Sequence, residues 1–202
     1  MKSRIMLGML GGLALAVGNV AAARDFNKLV EGEYMATGAS GCLNGFNGFN
    51  ATTLQPNLPA PGQPHAFFQS FDVQGVRTFN GDGTGSSSGT NISITAPNAF
   101  NILGNAGSSQ FTGDFTYQVN PDLTIVINQG PLSGVNLTGG AAGQTFAVSG
   151  IPAFTGRVSE DLGTIILHHS VPGLETFTPS AGLVRQRVCY RERILKRVKR
   201  GG

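Results

Sequence analysis

Residues 111–127 read FTGDFTYQVNPDLTIVI and carry the clearest structural signal in the chain. Aromatic and aliphatic residues occupy alternate positions on both sides of Asn120-Pro121-Asp122, and Thr, Asp and Gln fill most positions between them. Alternation with a period of two is typical of a half-buried strand, and Asn, Pro and Asp favour a tight turn. The stretch therefore predicts a β-hairpin with Phe115 and Tyr117 on its apolar face.

The same pattern recurs along the chain. Residues 67–79 alternate up to a turn with Asn80, Asp82 and Thr84, and this Asn-x-Asp-x-Thr pattern returns forty residues later at 120–124. Residues 159–164 form a third, similar turn. Further strands are expected near residues 30–37, 144–149 and 183–190. Together with 30 glycines, 13 phenylalanines and only 12% charged residues, these segments predict an all-β domain.

The N-terminus has the features of a secretory signal peptide. Lys2 and Arg4 precede an apolar run over residues 5–20, and three alanines at 21–23 supply a cleavage site. An uncleaved membrane anchor is the alternative, but glycines interrupt the run and shorten it below the ~20 apolar residues of a spanning helix. We expect cleavage after Ala23 and a mature bacterial protein in the periplasm or outside the cell.

The positions of the two cysteines indicate how the first and last strands of the sheet are arranged. Cys42 follows the first expected strand and Cys189 lies in the last, and both enter a compartment where disulfides persist. We expect them to pair. An antiparallel sheet of this size must also protect its edges, which a barrel does by joining its first and last strands. The fold prediction is an antiparallel up-and-down β-barrel of about 8–10 strands, with a β-sandwich as the alternative.

Charge divides the chain unevenly. Residues 24–184 contain four basic and ten acidic side chains, whereas residues 185–200 contain eight basic and one acidic. This predicts a β domain over 24–192 and a basic C-terminal tail over 193–202, which contacts an anionic envelope surface or is simply solvated. Because the net positive charge comes from the tail and the leader, nucleic-acid binding by the domain is not expected.

The sequence also predicts the conformation of the last strand and of the residues that follow it. Alternation predicts a strand with Val184, Val188 and Tyr190 on one face and Arg185, Arg187 and Arg191 on the other. The residues beyond are expected to form a short basic helix.

Three stretches carry a family resemblance: Gly32-Glu33-Tyr34 before Cys42, residues 78–85, and residues 115–122. With them the chain resembles small exported bacterial proteins with calycin-like or allene-oxide-cyclase-like β-barrels. Such families include binders of apolar small molecules, a plant cyclase, and proteins that orient radical coupling. The resemblance implies a fold and carries over no catalytic residue.

Six residues are candidates for ligand contact. Arg77 shares its parity with Phe71 on an apolar face, where a guanidinium needs a partner and could hold a carboxylate. The alternative is a bulge at Gly75 that turns Arg77 outward. His168 and His169 point to opposite faces, so one of them is expected inside. The aromatic contacts are Phe71, Phe115 and Tyr117.

No catalytic, cofactor or metal motif occurs in the mature chain. The preferred function is non-enzymatic binding of an apolar or amphipathic small molecule inside the barrel, with no cofactor. The alternatives are an envelope-associated structural or adhesion module that uses the basic tail, and a cyclase- or isomerase-like enzyme that acts by shaping its substrate.

Overall fold

The computed structural model describes residues 25–59, 61–62, 65–97 and 104–198, so the predicted signal peptide 1–23 lies outside the described residues. A short 3₁₀ helix, Phe26–Val30, precedes ten strands. The strands are β1 (Gly32–Gly45), β2 (Phe67–Phe79), β3 (Thr84–Thr95), β4 (Asn105–Val119), β5 (Thr124–Asn136), β6 (Thr145–Ser149), β7 (Phe154–Val158), β8 (Thr164–His169), β9 (Leu174–Pro179) and β10 (Arg185–Arg197). Among the described residues no helix is long and apolar enough to cross a membrane.

The strands form one antiparallel sheet that closes on itself. Strands β1 to β5 pair in sequence order, and β10 pairs with β1. Two pairs of short strands connect β5 to β10. At one end of the barrel the sheet runs from β5 through β7 and β8 to β10, and at the other end it runs from β5 through β6 and β9 to β10. Each circuit contains eight strands. The predicted all-β, antiparallel fold with a closed, barrel-like sheet is confirmed.

The seam of the ring lies between the first and last strands. Cys42 and Cys189 are direct partners across β1 and β10, and they form a disulfide with an S–S distance of 2.07 Å. The predicted pairing is therefore confirmed, and it joins the strands that close the sheet.

Two hairpin turns contain the same set of side-chain hydrogen bonds. In the first, the Asp82 carboxylate accepts hydrogen bonds from the Thr84 amide at 2.8 Å and from the Thr84 hydroxyl at 2.7 Å, and the Asn80 side chain donates to that hydroxyl. Residues 120–124 repeat every one of these contacts. The sequence repeat is thus a repeat of turn chemistry, as the spacing predicts.

One end of the barrel is filled with apolar side chains. The buried cluster there consists of Val30, Tyr34, Phe79, Phe115, Tyr117, Val119, Ile125, Ile127, Phe154, Val158, Ile165, Leu167 and Leu195. The 3₁₀ helix covers this end, where the side chain of Asn27 accepts a hydrogen bond from the Val119 amide at 2.8 Å. This end is closed, and free space inside the barrel lies beyond it.

The structure corrects the prediction for the last strand. Val184 and Tyr190 are 51% and 58% exposed, whereas Arg187, Arg191 and Arg193 are at most 7% exposed. The predicted alternation is therefore confirmed, and the arginines are the set that points inward, on the same parity as the buried Cys189. Strand β10 also runs to Arg197. The predicted domain boundary after Glu192 and the predicted basic helix beyond it are both wrong for residues 193–197, because these residues pair with β1 and β8. The predicted tail residues 199–202 lie outside the described residues.

Strand β2 keeps its register through Gly75, so the predicted alternative of a bulge there is wrong. Gly75 pairs with Gly89 across β2 and β3, and a Cβ on Gly75 would lie 2.2 Å from the carbonyl oxygen of Ser88. The glycine permits this close backbone approach. Because the register is unbroken, Arg77 points into the barrel and is 7% exposed.

Candidate functional site

A cavity of about 160 Å³, partly open to solvent, occupies the barrel beyond the apolar cluster. Three kinds of side chain line it. Arginines come mainly from β10: Arg77, Arg185, Arg187, Arg191 and Arg193. Hydroxyl and amide groups come mostly from β1 to β5: Ser40, Gln69, Ser87, Asn91, Ser93, Ser109, Gln129 and Asn136. Aromatic rings come from Phe71, Phe111, Phe146, Phe154 and Phe177.

Small side chains on β3 create much of this space. Ser87, Asn91 and Ser93 face the interior, while Ile92 and Ile94 on the same strand are 62% and 59% exposed. A strand with its isoleucines outside and its serines inside does not contribute to an apolar core. This arrangement leaves room for a ligand or for water.

Arg77 lies at the floor of the cavity. Its guanidinium stacks on the rings of Phe115 and Phe154, with the central carbon 5.1 and 5.3 Å from the two ring centroids. One terminal nitrogen, Nη2, donates to Gln129 at 3.0 Å, and the other, Nη1, is buried and has no hydrogen-bond partner among the described residues. Burial lowers the pKa of Arg77 to about 10. A buried donor without a partner is a strong indication that an acceptor belongs beside it.

Arg193 adds a second cation on the same side of the cavity. Its Nη2 donates to the Ser40 hydroxyl at 3.0 Å, and its Nη1 donates to the carbonyl oxygen of Ala39 at 2.9 Å. Burial first, and then the positive charges of Arg191 and Arg77, lower the pKa of Arg193 to about 9. The guanidinium is hydrogen-bonded, but no carboxylate among the described residues pairs with it.

Glu175 on β9 neutralises part of this charge. Its carboxylate, which is fully buried, accepts hydrogen bonds from both terminal nitrogens of Arg191 and from Nε of Arg187, the last at 2.9 Å. Burial raises the pKa of Glu175, but the hydrogen bonds and charges of Arg191 and Arg187 outweigh this and leave the pKa below its ordinary value. The carboxylate is therefore ionised at neutral pH, and Arg187 and Arg191 are paired.

The charge balance of the interior is strongly positive. Of the eleven acidic side chains, ten are exposed and only Glu175 is buried. Five arginines line the cavity, so the interior carries an excess of about four positive charges (five cations against one carboxylate). Burying an unpaired charge costs several kcal/mol. An anion 4 Å away would return roughly 4 kcal/mol at an effective dielectric constant of 20.

The other predicted contacts divide between the cavity and its surroundings. Phe71 lines the cavity. Phe115 lies beneath Arg77 in the apolar cluster, and Tyr117 is deeper in that cluster, where its hydroxyl accepts a hydrogen bond from the Gly81 amide at 2.9 Å. The structure thus brings Arg77, Phe71 and Phe115 together and leaves Tyr117 in the closed end.

The two histidines face opposite ways, as their adjacency requires. His168 is exposed and contacts the carbonyl oxygen of Thr155. His169 is buried against the ring of Phe154, with its Nδ1 3.3 Å from the carbonyl oxygen of Cys189. Burial first, and then the charge of Arg191, lower the pKa of His169 to about 4, so this ring is neutral at pH 7. Neither histidine is among the described residues that line the cavity.

The position of Cys189 in the sequence indicates which face of the last strand points inward. Cys189 was expected to form a disulfide at the barrel seam, and Arg185, Arg187, Arg191 and Arg193 all share its parity. A strand that buries Cys189 must also turn these side chains inward. Glu175 has no comparable signal, because its role depends on β9 pairing with β10.

Comparison of the chain with protein-family models, with curated proteins and with solved structures finds no match. The resemblance to calycin-like barrels therefore stays a prediction. Among the described residues no group of three or more His, Cys, Asp or Glu side chains is placed to hold a metal ion.

Proposed function

We propose that the mature protein is an exported binding protein that holds a small amphipathic anion inside its barrel. The observation that carries the proposal is the pair of buried, unneutralised cations, Arg77 and Arg193, at the floor of a cavity with aromatic walls. The free Nη1 of Arg77 supplies a donor for the anionic group. Guanidinium groups suit carboxylate, sulfate and phosphate oxygens in particular.

The rest of the ligand is expected to be partly apolar. Besides Arg77, the cavity lining includes the rings of Phe71, Phe111 and Phe177 and the aliphatic side chains of Leu132 and Val148. Burial of apolar ligand surface against these side chains adds roughly 25 cal/mol per Å². The cavity therefore favours an amphipathic anion over a small inorganic ion.

Binding explains the cavity better than acid–base catalysis does. The described lining residues include no histidine, cysteine, lysine, tyrosine or carboxylate, which are the side chains that most often act as nucleophile, acid or base. Arginine, serine and amide side chains orient a ligand without reacting with it. The cyclase or isomerase alternative gains no support from these groups.

Envelope attachment has fewer surface charges to draw on than the sequence indicates. Of the predicted tail charges that the structure describes, Arg193 is buried in the cavity, Arg197 is partly buried and donates to the Tyr34 hydroxyl, and Lys196 is exposed. The predicted tail charges Lys199 and Arg200 lie outside the described residues, so an interaction of the C-terminus with an anionic surface stays a prediction.

Export is supported by two features. The leader has the charge, apolar run and alanines of a cleaved signal peptide. The Cys42–Cys189 disulfide is of the kind that persists in oxidising compartments. The proposed site of action is therefore the periplasm or the exterior of the cell.

The test uses mature protein recovered from the periplasm or medium of an expression host, with its intact mass compared with that of a chain beginning at Arg24. Two fluorescent probes share one aromatic frame: 1-anilinonaphthalene-8-sulfonate is anionic, and N-phenyl-1-naphthylamine is neutral. We expect the anionic probe to bind saturably and more tightly. Arg77→Gln should weaken its binding about tenfold, the effect of losing one charged hydrogen bond.

Arg157→Gln is the matched control, because Arg157 is exposed on the outer surface and donates to the carbonyl oxygen of Asp122. It should leave both affinities at the wild-type values. If Arg77→Gln and the wild type bind the anionic probe equally, and the neutral probe binds as tightly, the anion site is refuted.

A further inference from the structure

A third unneutralised arginine lies at the other end of the cavity. Arg185 stacks on Phe177, with 4.0 Å between its guanidinium carbon and the ring centroid, and on Phe67 at 5.8 Å. Its Nε donates to the side-chain oxygen of Asn44 at 3.2 Å. No carboxylate among the described residues pairs with it, although it is largely surrounded by protein.

The pattern of charge along β10 separates this arginine from the floor of the cavity. Arg187 and Arg191 in the middle of the strand are paired with Glu175, whereas Arg185 before them and Arg193 after them are not. Arg185 and Arg193 are eight residues apart, a contour of roughly 26 Å in an extended strand. The cavity therefore has an arginine without a carboxylate partner at each end, and between them two arginines that share the single carboxylate of Glu175.

The walls between the two ends are suited to an apolar chain. Phe71 and Val73 from β2, Leu132 from β5 and Val148 from β6 line the cavity between the floor at Arg77 and the open end at Arg185. Phe67, which touches Arg185, is ten residues from Arg77 along β2. The two cationic ends thus lie far apart on two different strands.

We infer that the ligand carries two anionic groups joined by an apolar or aromatic spacer, one group bound at Arg77 and Arg193 and the other at Arg185. This inference rests on the proposed function and narrows it from amphipathic anions to two-ended ones. A ligand with a single anionic group would leave one end of the cavity with an unneutralised guanidinium, which is unfavourable in a desolvated site.

Isothermal titration with two series of carboxylates tests the inference. The first series is decanedioate, dodecanedioate and hexadecanedioate, and the second is the monocarboxylates of the same lengths, used below their aggregation limits. We expect affinity in the second series to rise steadily with length, as apolar burial grows. In the first series we expect one length to bind best, and to bind about tenfold more tightly than its monocarboxylate.

Arg185→Gln should abolish this advantage of the dicarboxylate, and Arg157→Gln on the outer surface should keep it. Equal binding of both series, or an advantage that survives Arg185→Gln, overturns the two-ended ligand while leaving the anion site at Arg77 intact. If neither series binds and the anionic fluorescent probe also fails to bind, the proposed function itself is refuted.

Discussion

Replacing Glu175 by Gln is expected to lower the stability of the barrel and to raise its affinity for anions. Among the described residues Glu175 carries the only buried carboxylate, and it is hydrogen-bonded to Arg187 and Arg191, each at most 7% exposed. Glutamine keeps the size of the side chain and removes its charge. Both arginines then remain buried without a counterion, so the interior gains one positive charge in excess.

Removing one member of a buried ion pair costs about 3–5 kcal/mol, because the remaining charge is desolvated and unpaired. For a chain of this size that corresponds to a fall of about 6–20 °C in the thermal midpoint. Anion binding should change in the opposite direction, because the field in the cavity becomes more positive. We expect Glu175→Gln to unfold at lower urea concentration and to bind 1-anilinonaphthalene-8-sulfonate more tightly than the wild type.

The anion should also rescue the variant. A ligand present at a hundred times its dissociation constant stabilises the folded state by about 2.7 kcal/mol. Glu160→Gln is the control, since Glu160 is exposed in a turn and its loss should change the free energy of unfolding by less than about 0.5 kcal/mol. A Glu175→Gln variant as stable as the wild type would refute the buried charge network.

Two further predictions concern pH and the C-terminal strand. The pKa of His169 is about 4 in the folded protein and has its ordinary value of 6.5 in the unfolded chain, so the unfolded chain binds the proton first as pH falls. The free energy of unfolding should therefore fall by at most about 3 kcal/mol between pH 6.5 and pH 4. His169→Phe should remove that loss, as urea titrations at several pH values would show. The same pH dependence in both proteins would contradict this assignment. Truncation after Glu192 should prevent folding, because it removes the fully buried Leu195 and the four β10 residues, 194–197, that pair with residues 34–37 of β1. Truncation after Val198 should leave folding intact. Circular dichroism with temperature distinguishes the two variants, and an unchanged midpoint after truncation at Glu192 would contradict the observed length of β10.

Local patterns were enough to predict most of the strands and turns. The alternation around residues 111–127 and the repeated Asn-x-Asp-x-Thr turns depend only on neighbouring residues, and the structure contains them as expected. The Cys42–Cys189 bond was predictable because only two cysteines were available. The arrangement of the short strands β6, β7, β8 and β9 between β5 and β10 could not be predicted in the same way, since it depends on pairings between distant segments.

The facing of strands was predictable only where the interior is apolar. At the closed end, Phe115 and Tyr117 are buried as their hydrophobicity predicts. At the open end the rule reverses, and Ile92 and Ile94 are exposed while the alternate polar residues of β3 face inward. Hydrophobicity alone assigns the wrong face there, because a polar, cationic cavity replaces the core.

Charged residues are also distributed contrary to the usual rule, with arginines inside the barrel, and this links the composition of the chain to its candidate function. Along the sequence the acidic residues precede a basic tail, but in the fold ten carboxylates lie on the outer surface and four arginines of β10 lie inside. A soluble exterior does not require that arrangement, since the same arginines on the outer face of β10 would be solvated at no cost. Holding them inside is unfavourable unless something offsets their charge. Glu175 offsets one unit, and the remainder is the strongest physical reason to expect an anionic ligand in this barrel.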